Sequence, residues 1–257
     1  MIHIYGDSFC DPNYATHSDS STEFWYDKFD EDVLNHGKIG TGPSYSFDLF
    51  YKDFIEDVFQ EEDKIVFVLS GADRLNFSFL KQVEDSVLCA KLDSTTKKYL
   101  KSYEYEIMSF FGTYGKELLF VNLKNIFFLE SISKILNVKI IVFMALRDLR
   151  GMLDFLKSSK PFTLHHEHLK ILGLSENEFN KIVDKIGSIN FKQFNSDTFY
   201  FHDFPLIDMA NDTGKNHLDI DGHRLMFDTI SRIINNDYNI DSLWKNTGQH
   251  VTDFIYE

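Results

Sequence analysis

The chain has 257 residues, with 26 Lys and Arg against 40 Asp and Glu and a formal net charge of −14. That length is enough to bury a real core, so neither disulfides nor a metal are needed to hold the fold. The acidity weighs against a phosphate-backbone binder, and no Lys/Arg run builds a local basic footprint, so nucleic acid is not an expected partner.

In chain order, Ile2-His3-Ile4-Tyr5 reads as a short buried strand that stops at Gly6. Residues 11 to 42 are turn-rich and polar, with one aromatic cluster at Phe24-Trp25-Tyr26. A helix is predicted over about 43–60, with Tyr45, Leu49, Phe54, Ile55, Val58 and Phe59 on one broad face. Lys64-Ile65-Val66-Phe67-Val68-Leu69 is a nearly continuous apolar run closed by Ser70-Gly71, the pattern of a parallel strand covered on both faces. Ser94-Thr95 can cap a helix to about Phe111, and Gly112 and Gly115 interrupt it. A second helix continues to Leu136 with Asn137 as its stop. Val138 to Phe143 is the next buried strand. Ser175-Glu176-Asn177-Glu178 is a capping box, Thr198 to Phe201 the last strand, and Ile220 to Asn235 the final helix.

Strands alternating with helices predict an α/β fold with a mostly parallel sheet, read as a single domain over 1–257. The stretches 85–137 and 155–195 are long enough to be helical insertions that shape a cap. Ligands of such sheets sit beyond the carboxyl ends of the strands, which directs attention to the residues after Tyr5, Leu69, Phe143 and Phe201.

Cys10 and Cys89 are too few for a disulfide framework or a thiolate metal site, and read as free thiols in a reducing compartment. The N-terminus lacks a basic region followed by a long apolar one, so no secretory signal is read there. No run approaches the ~18 apolar residues of a membrane span. The expectation is a cytoplasmic protein, and the Phe-, Asn- and Asp-rich, Pro-poor composition suits a bacterial or viral source.

Gly6-Asp7-Ser8-Phe9 follows the first strand. A serine at a strand-to-helix turn can expose its hydroxyl near backbone N–H groups, but it needs a base to take its proton. His217-Leu218-Asp219-Ile220-Asp221-Gly222-His223 opens the last helix, and a histidine there can return to the same side of the sheet.

Four blocks in order carry a resemblance. They are Gly6-Asp7-Ser8, the glycine block from Asn35 to Gly42, the strand end Gly71-Ala72-Asp73-Arg74, and a late His-Leu-x-x-x-Gly-His. Spanning residues 6–223, they resemble the SGNH (GDSL-type) hydrolase family. The resemblance implies a flavodoxin-like three-layer α/β/α sandwich and a serine that attacks an ester carbonyl to form an acyl-enzyme. It assigns Ser8 as nucleophile and His217 as base. It makes Ser8 N–H, Gly40 and the Asp73 position the oxyanion hole, whose donors face the developing charge. No metal or cofactor is implied, and the implied substrate is a small ester, in the family's common use an O-acetyl group on a glycan.

Two positions depart from the family. Asp73 stands where the family has an asparagine, and an ionised carboxylate only accepts hydrogen bonds. Asn76 or Arg74 is then a substitute donor. The family's aspartate three residues before the base is Gly214 here; Asp212 is the nearest upstream carboxylate and Asp208 the fallback. A backbone carbonyl behind the ring is a third arrangement.

Plainer readings stand beside these. Ser8 can be a turn serine and Gly40 a turn glycine. His223 shares the last helix's apolar face with Phe227, Ile230 and Ile234, which favours a packed core histidine and leaves His217 the better base. His165-His166-Glu167-His168 lacks the i, i+4 pair of a helical metal site. Trp25 reads as a core anchor, with substrate stacking as the alternative. Arg74, Arg147 and Arg150 follow strand ends, where salt bridges are the commoner role. Three functions remain in play: a serine esterase, an acyltransferase on the same scaffold, and a catalytically impaired binding protein.

Overall fold

The computed structural model describes residues 1–12, 24–39, 41–70, 75–76, 87–88, 121, 124–145, 175, 177–178, 181, 195–202, 206, 218–240 and 243. Its strands are β1 (Ile2–Gly6), β2 (Val33–Asn35), β3 (Lys64–Leu69), β4 (Leu75–Asn76), β5 (Val87–Leu88), β6 (Lys139–Met144) and β7 (Phe199–Phe201). Helices α1 (Pro43–Ile55), α2 (124–136) and α3 (Ile220–Ile234) accompany them, with a 3-10 turn at Trp25–Lys28. Among the described residues, five strands form an all-parallel sheet in the order β2-β1-β3-β6-β7, while β4 and β5 pair as a separate antiparallel ribbon. The fold is α/β.

The central strands explain the register. Ile65 to Leu69 and Ile140 to Met144 are all buried, as expected of strands covered on both faces. Tyr5, Ile65, Phe67, Leu69, Ile140 and Val142 share one cluster with Phe47 and Phe50 of α1 and with Ile126, Leu129 and Ile132 of α2. Ile2, Ile4, Val66, Val68, Ile141 and Phe143 share the other with Trp25 and with Met226, Ile230 and Ile233 of α3. The period of two along each strand splits the side chains between these clusters.

Three sequence expectations are corrected. Residues 11 to 42 are not turns throughout: Val33–Asn35 adds an edge strand beside β1. Three half-exposed residues give too little alternation to be legible. The helix read over 43–60 ends at Ile55, and Asp57 has a positive φ of 53°. Its buried face holds Ser46, Phe47, Phe50 and Asp53, whereas Ile55 is 77% exposed and Val58 and Phe59 lie beyond the helix. Trp25 is the core anchor expected of it: fully buried, it donates from Nε1 to the Phe9 carbonyl at 3.1 Å, so the substrate-stacking alternative falls. The part of 85–137 that forms α2 packs on the sheet and is core there, not cap.

Other readings are matched. Asn137 stops α2 with φ 53°. Ser175 and Glu178 form the capping box: Ser175 N and Oγ donate to Glu178 Oε2 at 2.8 and 2.6 Å, and Glu178 N donates to Ser175 Oγ at 3.3 Å. The other described residue of 155–180 is Asn177, and most of 155–195 lies outside the described residues. Asp219 caps α3 by accepting from Gly222 N at 2.7 Å. Among the described residues, no helix is long and apolar enough to cross a membrane.

Candidate functional site

The main sheet changes winding direction between β1 and β3, since β2 lies on one side of β1 and the later strands on the other. In open parallel sheets, ligands bind beyond the carboxyl ends of the strands at such a point. Gly6-Asp7-Ser8 ends β1 there, and Ser70 ends β3. Ser8 is half-buried, between the buried Asp7 and Phe9.

The turn that carries Ser8 is held from several sides. Asp7 Oδ1 accepts from Phe9 N at 3.1 Å, and Cys10 N donates to the Asp7 carbonyl at 3.1 Å. Ser70 Oγ lies 2.5 Å from Asp7 Oδ2 and 2.9 Å from the Thr41 carbonyl. Asn35 Nδ2 donates to the Cys10 carbonyl at 2.7 Å, while Asn35 Oδ1 accepts from Gly37 N at 2.8 Å. Ile39 N donates to Asp11 Oδ2 at 2.6 Å. The glycine block is thereby bonded to the serine turn.

Two glycines are required by close approach. A Cβ on Gly6 would stand 2.5 Å from Cys10 Sγ and 2.8 Å from the Val68 carbonyl oxygen. A Cβ on Gly37 would stand 2.6 Å from both the carbonyl carbon and oxygen of Cys10. Backbone atoms cannot rotate away, so these positions exclude any side chain. Cys10 is a free, buried thiol whose pKa is pushed up by burial and then by Asp7 and Asp11. It stays protonated near neutrality and is packing, not chemistry.

The opening of α3 approaches this end of the sheet. Leu218 is buried in the same cluster as Phe9 and Cys10. His223 is 5% exposed, with its ring edge against Phe24 at 4.9 Å. Phe24 stacks on Tyr26, whose hydroxyl donates to the Asp11 carbonyl at 3.3 Å. His223 is therefore a packed core histidine. His217, Asp212, Asp208, Gly40, Asp73, Arg74, Arg147, Arg150, Cys89 and His165 to His168 lie outside the described residues. Asn76 lies in β4, and its side chain is outside them as well. Ser8 is the one assigned site residue within the description.

Two further histidines, given no role in the sequence reading, follow strands β7 and β2. His202 follows β7 and is buried beside Phe143, ring centroids 5.1 Å apart. β3 and β6 separate β7 from β1, which puts it roughly 14 Å from the serine strand at the usual strand spacing. His36 lies on the opposite side. Its ring stacks on Tyr5 at 4.9 Å, and its Nε2 is 3.3 Å from Asp53 Oδ2, which also accepts from the Tyr5 hydroxyl at 2.5 Å. No motif marks either residue, because stacking across elements leaves no spacing in the sequence.

Burial pushes the His36 pKa below the ordinary imidazole range, although Asp53 pulls it up. The unfolded chain takes up this proton near pH ~6.5, while the folded protein resists until lower pH. The neutral ring's contribution to stability is therefore complete above that value and is lost as pH falls through the folded pKa. We expect His36→Gln to flatten the fall in urea midpoint below about pH 6.5. An unchanged slope between wild type and variant would contradict this assignment.

Among the described residues, no group of three or more His, Cys, Asp or Glu side chains could hold a metal ion. No protein-family model matches the chain, and no curated protein does.

Proposed function

We propose that the chain is a serine esterase with the SGNH arrangement, a three-layer α/β/α sandwich whose nucleophile is Ser8. The observation that carries this reading is the position of Ser8: half-buried, at the turn after β1, beside the switch point of a parallel sheet. The Asp7 and glycine-block contacts support it by fixing the turn.

The chemistry follows from the proposed roles. His217 takes the Ser8 proton as Oγ attacks the ester carbonyl carbon. The carbonyl π bond breaks to give a tetrahedral oxyanion, held by Ser8 N–H and Gly40 N–H. Collapse expels the alcohol, which receives the proton from His217. Water, giving a proton to His217, then attacks the acyl carbon; collapse breaks the bond to Ser8 Oγ, which takes that proton back from His217 as the acid leaves. Asp212 is the proposed orienting carboxylate. The substrate is a small ester, with an O-acetyl group on a glycan as the leading case. The reaction needs no cofactor. The free Cys10 thiol is compatible with the proposed cytoplasmic setting.

A second reading is favoured by Asp73 and Gly214, the two departures from the family pattern. It makes the protein a binding module with impaired catalysis. Under the esterase reading the unmodified protein hydrolyses p-nitrophenyl acetate, and Asp73→Asn changes kcat severalfold at most. Activity that appears only in Asp73→Asn identifies the binding module, because it restores a donor to the oxyanion site. A transferase would instead deliver the acyl group to a sugar hydroxyl. With acetyl donor and sugar acceptor together, acylated sugar in excess over free acetate would favour it.

A further inference from the structure

We propose that Ser70 is a positioning residue, whose hydroxyl clamps the turn carrying Ser8 to the segment that leads into α1. The catalytic consequence rests on the reading of Ser8 as nucleophile; the clamp itself does not. Ser70 Oγ is 2.5 Å from Asp7 Oδ2 and 2.9 Å from the Thr41 carbonyl oxygen. All three residues are 1% exposed. The contacts connect three loop ends: residue 7 after β1, residue 41 between β2 and α1, and residue 70 at the end of β3.

Asp7 transmits the constraint across Ser8. One carboxylate oxygen accepts from Phe9 N and the other faces Ser70, so the carboxylate bridges from β3 to the residue just after the serine. With the Ser70 hydroxyl in place, rotation of the Asp7 carboxylate is restrained, and so is the peptide between Ser8 and Phe9. The same hydroxyl also faces the Thr41 carbonyl, so one atom ties the turn that carries the nucleophile to the peptide that enters α1. A hydroxyl carries one proton, which the two acceptors share. Its burial keeps water from taking its place, which is what makes a single oxygen consequential.

The position is peculiar to its context. Ser70 closes an otherwise unbroken apolar strand, and an apolar residue would satisfy the strand equally well. A buried hydroxyl there is explained by its two acceptors.

The test compares wild type, Ser70→Ala and Ser70→Thr by backbone amide exchange and by p-nitrophenyl acetate kinetics. In Ser70→Ala, exchange should rise together in residues 8–10 and 38–41, and kcat should fall about 10- to 100-fold with little change in KM, as expected when a nucleophile is misplaced by a fraction of an ångström. Ser70→Thr keeps the hydroxyl and should recover most of both. If Ser70→Ala does not fold, Ser70→Cys supplies a weaker donor at the same place, with the same direction of change. Unchanged exchange in both segments overturns the clamp. So does a lower melting temperature with wild-type kcat, because that is a purely structural role. An inactive wild type with raised exchange in Ser70→Ala refutes the esterase reading and still supports the clamp.

Discussion

Replacing Ser8 by alanine should reduce p-nitrophenyl acetate hydrolysis by roughly 10⁶ in kcat while leaving the melting temperature within a few degrees of wild type. The two halves of that expectation come from different observations. Ser8 is half-buried, so loss of its Oγ opens no sealed cavity. The turn is held by its neighbours instead: Asp7 to Phe9 N, Cys10 N to Asp7, and Asn35 to Cys10. Stability should therefore change by less than about 1 kcal/mol, the usual range for such positions. Chemistry has no such redundancy. Without Oγ no acyl-enzyme forms, and water must attack the ester directly in a site built for another nucleophile. Loss of a nucleophile of this kind costs roughly 10⁶ in kcat, although binding and oxyanion contacts leave some rate behind. Retained hydrolysis in Ser8→Ala would refute the assignment.

The second large effect separates the two histidines at the opening of α3. His217→Ala should lower kcat by about 10²–10⁴, the contribution of a positioned general base, with the melting temperature little changed. His223→Ala should do the reverse. Its ring is 5% exposed and packs edge-on against Phe24, whose partner Tyr26 donates to the carbonyl of Asp11. Truncating it removes packing between α3 and the 3-10 turn, and should destabilise by about 1–3 kcal/mol, as core truncations commonly do. Kinetics and thermal melts on the two variants therefore give opposite patterns. A His223→Ala protein with a wild-type melt and lost activity would exchange the roles.

The sheet was legible because its strands announce themselves. Lys64 to Leu69 and Lys139 to Met144 are long apolar runs, and both form central strands. α3 was legible from the apolar face of His223, Phe227, Ile230 and Ile234, and α2 from Asn137 as its stop. β2 was not, because Val33–Asn35 is only three residues long and half-exposed. The overlong reading of α1 has a similar cause: Val58 and Phe59 continue an apolar period after the backbone has turned at Asp57. Short edge elements are fixed by their neighbours, and no local pattern reports that.

The site divides in the same way. Gly6-Asp7-Ser8 was legible as a motif at a strand end, and Ser8 stands at the carboxyl end of β1. The Asp7–Ser70–Thr41 contacts were illegible, because they join residues 63 and 29 positions apart. Gly37 was hidden for the same reason: its need for hydrogen in place of a side chain comes from the Cys10 carbonyl, which reaches it from another loop. Motifs give residue types near a strand end, whereas contacts between loops set where those residues point.

The most direct measurement is reaction of the unmodified protein with a fluorophosphonate, followed by peptide mass mapping. Such a reagent is attacked by an activated serine, and its phosphonyl group stays on Oγ as fluoride leaves. One modified residue, Ser8, is expected, with labelling lost in Ser8→Ala and strongly slowed in His217→Ala. A protein that remains unlabelled, or is labelled at another serine with Ser8 intact, would contradict it.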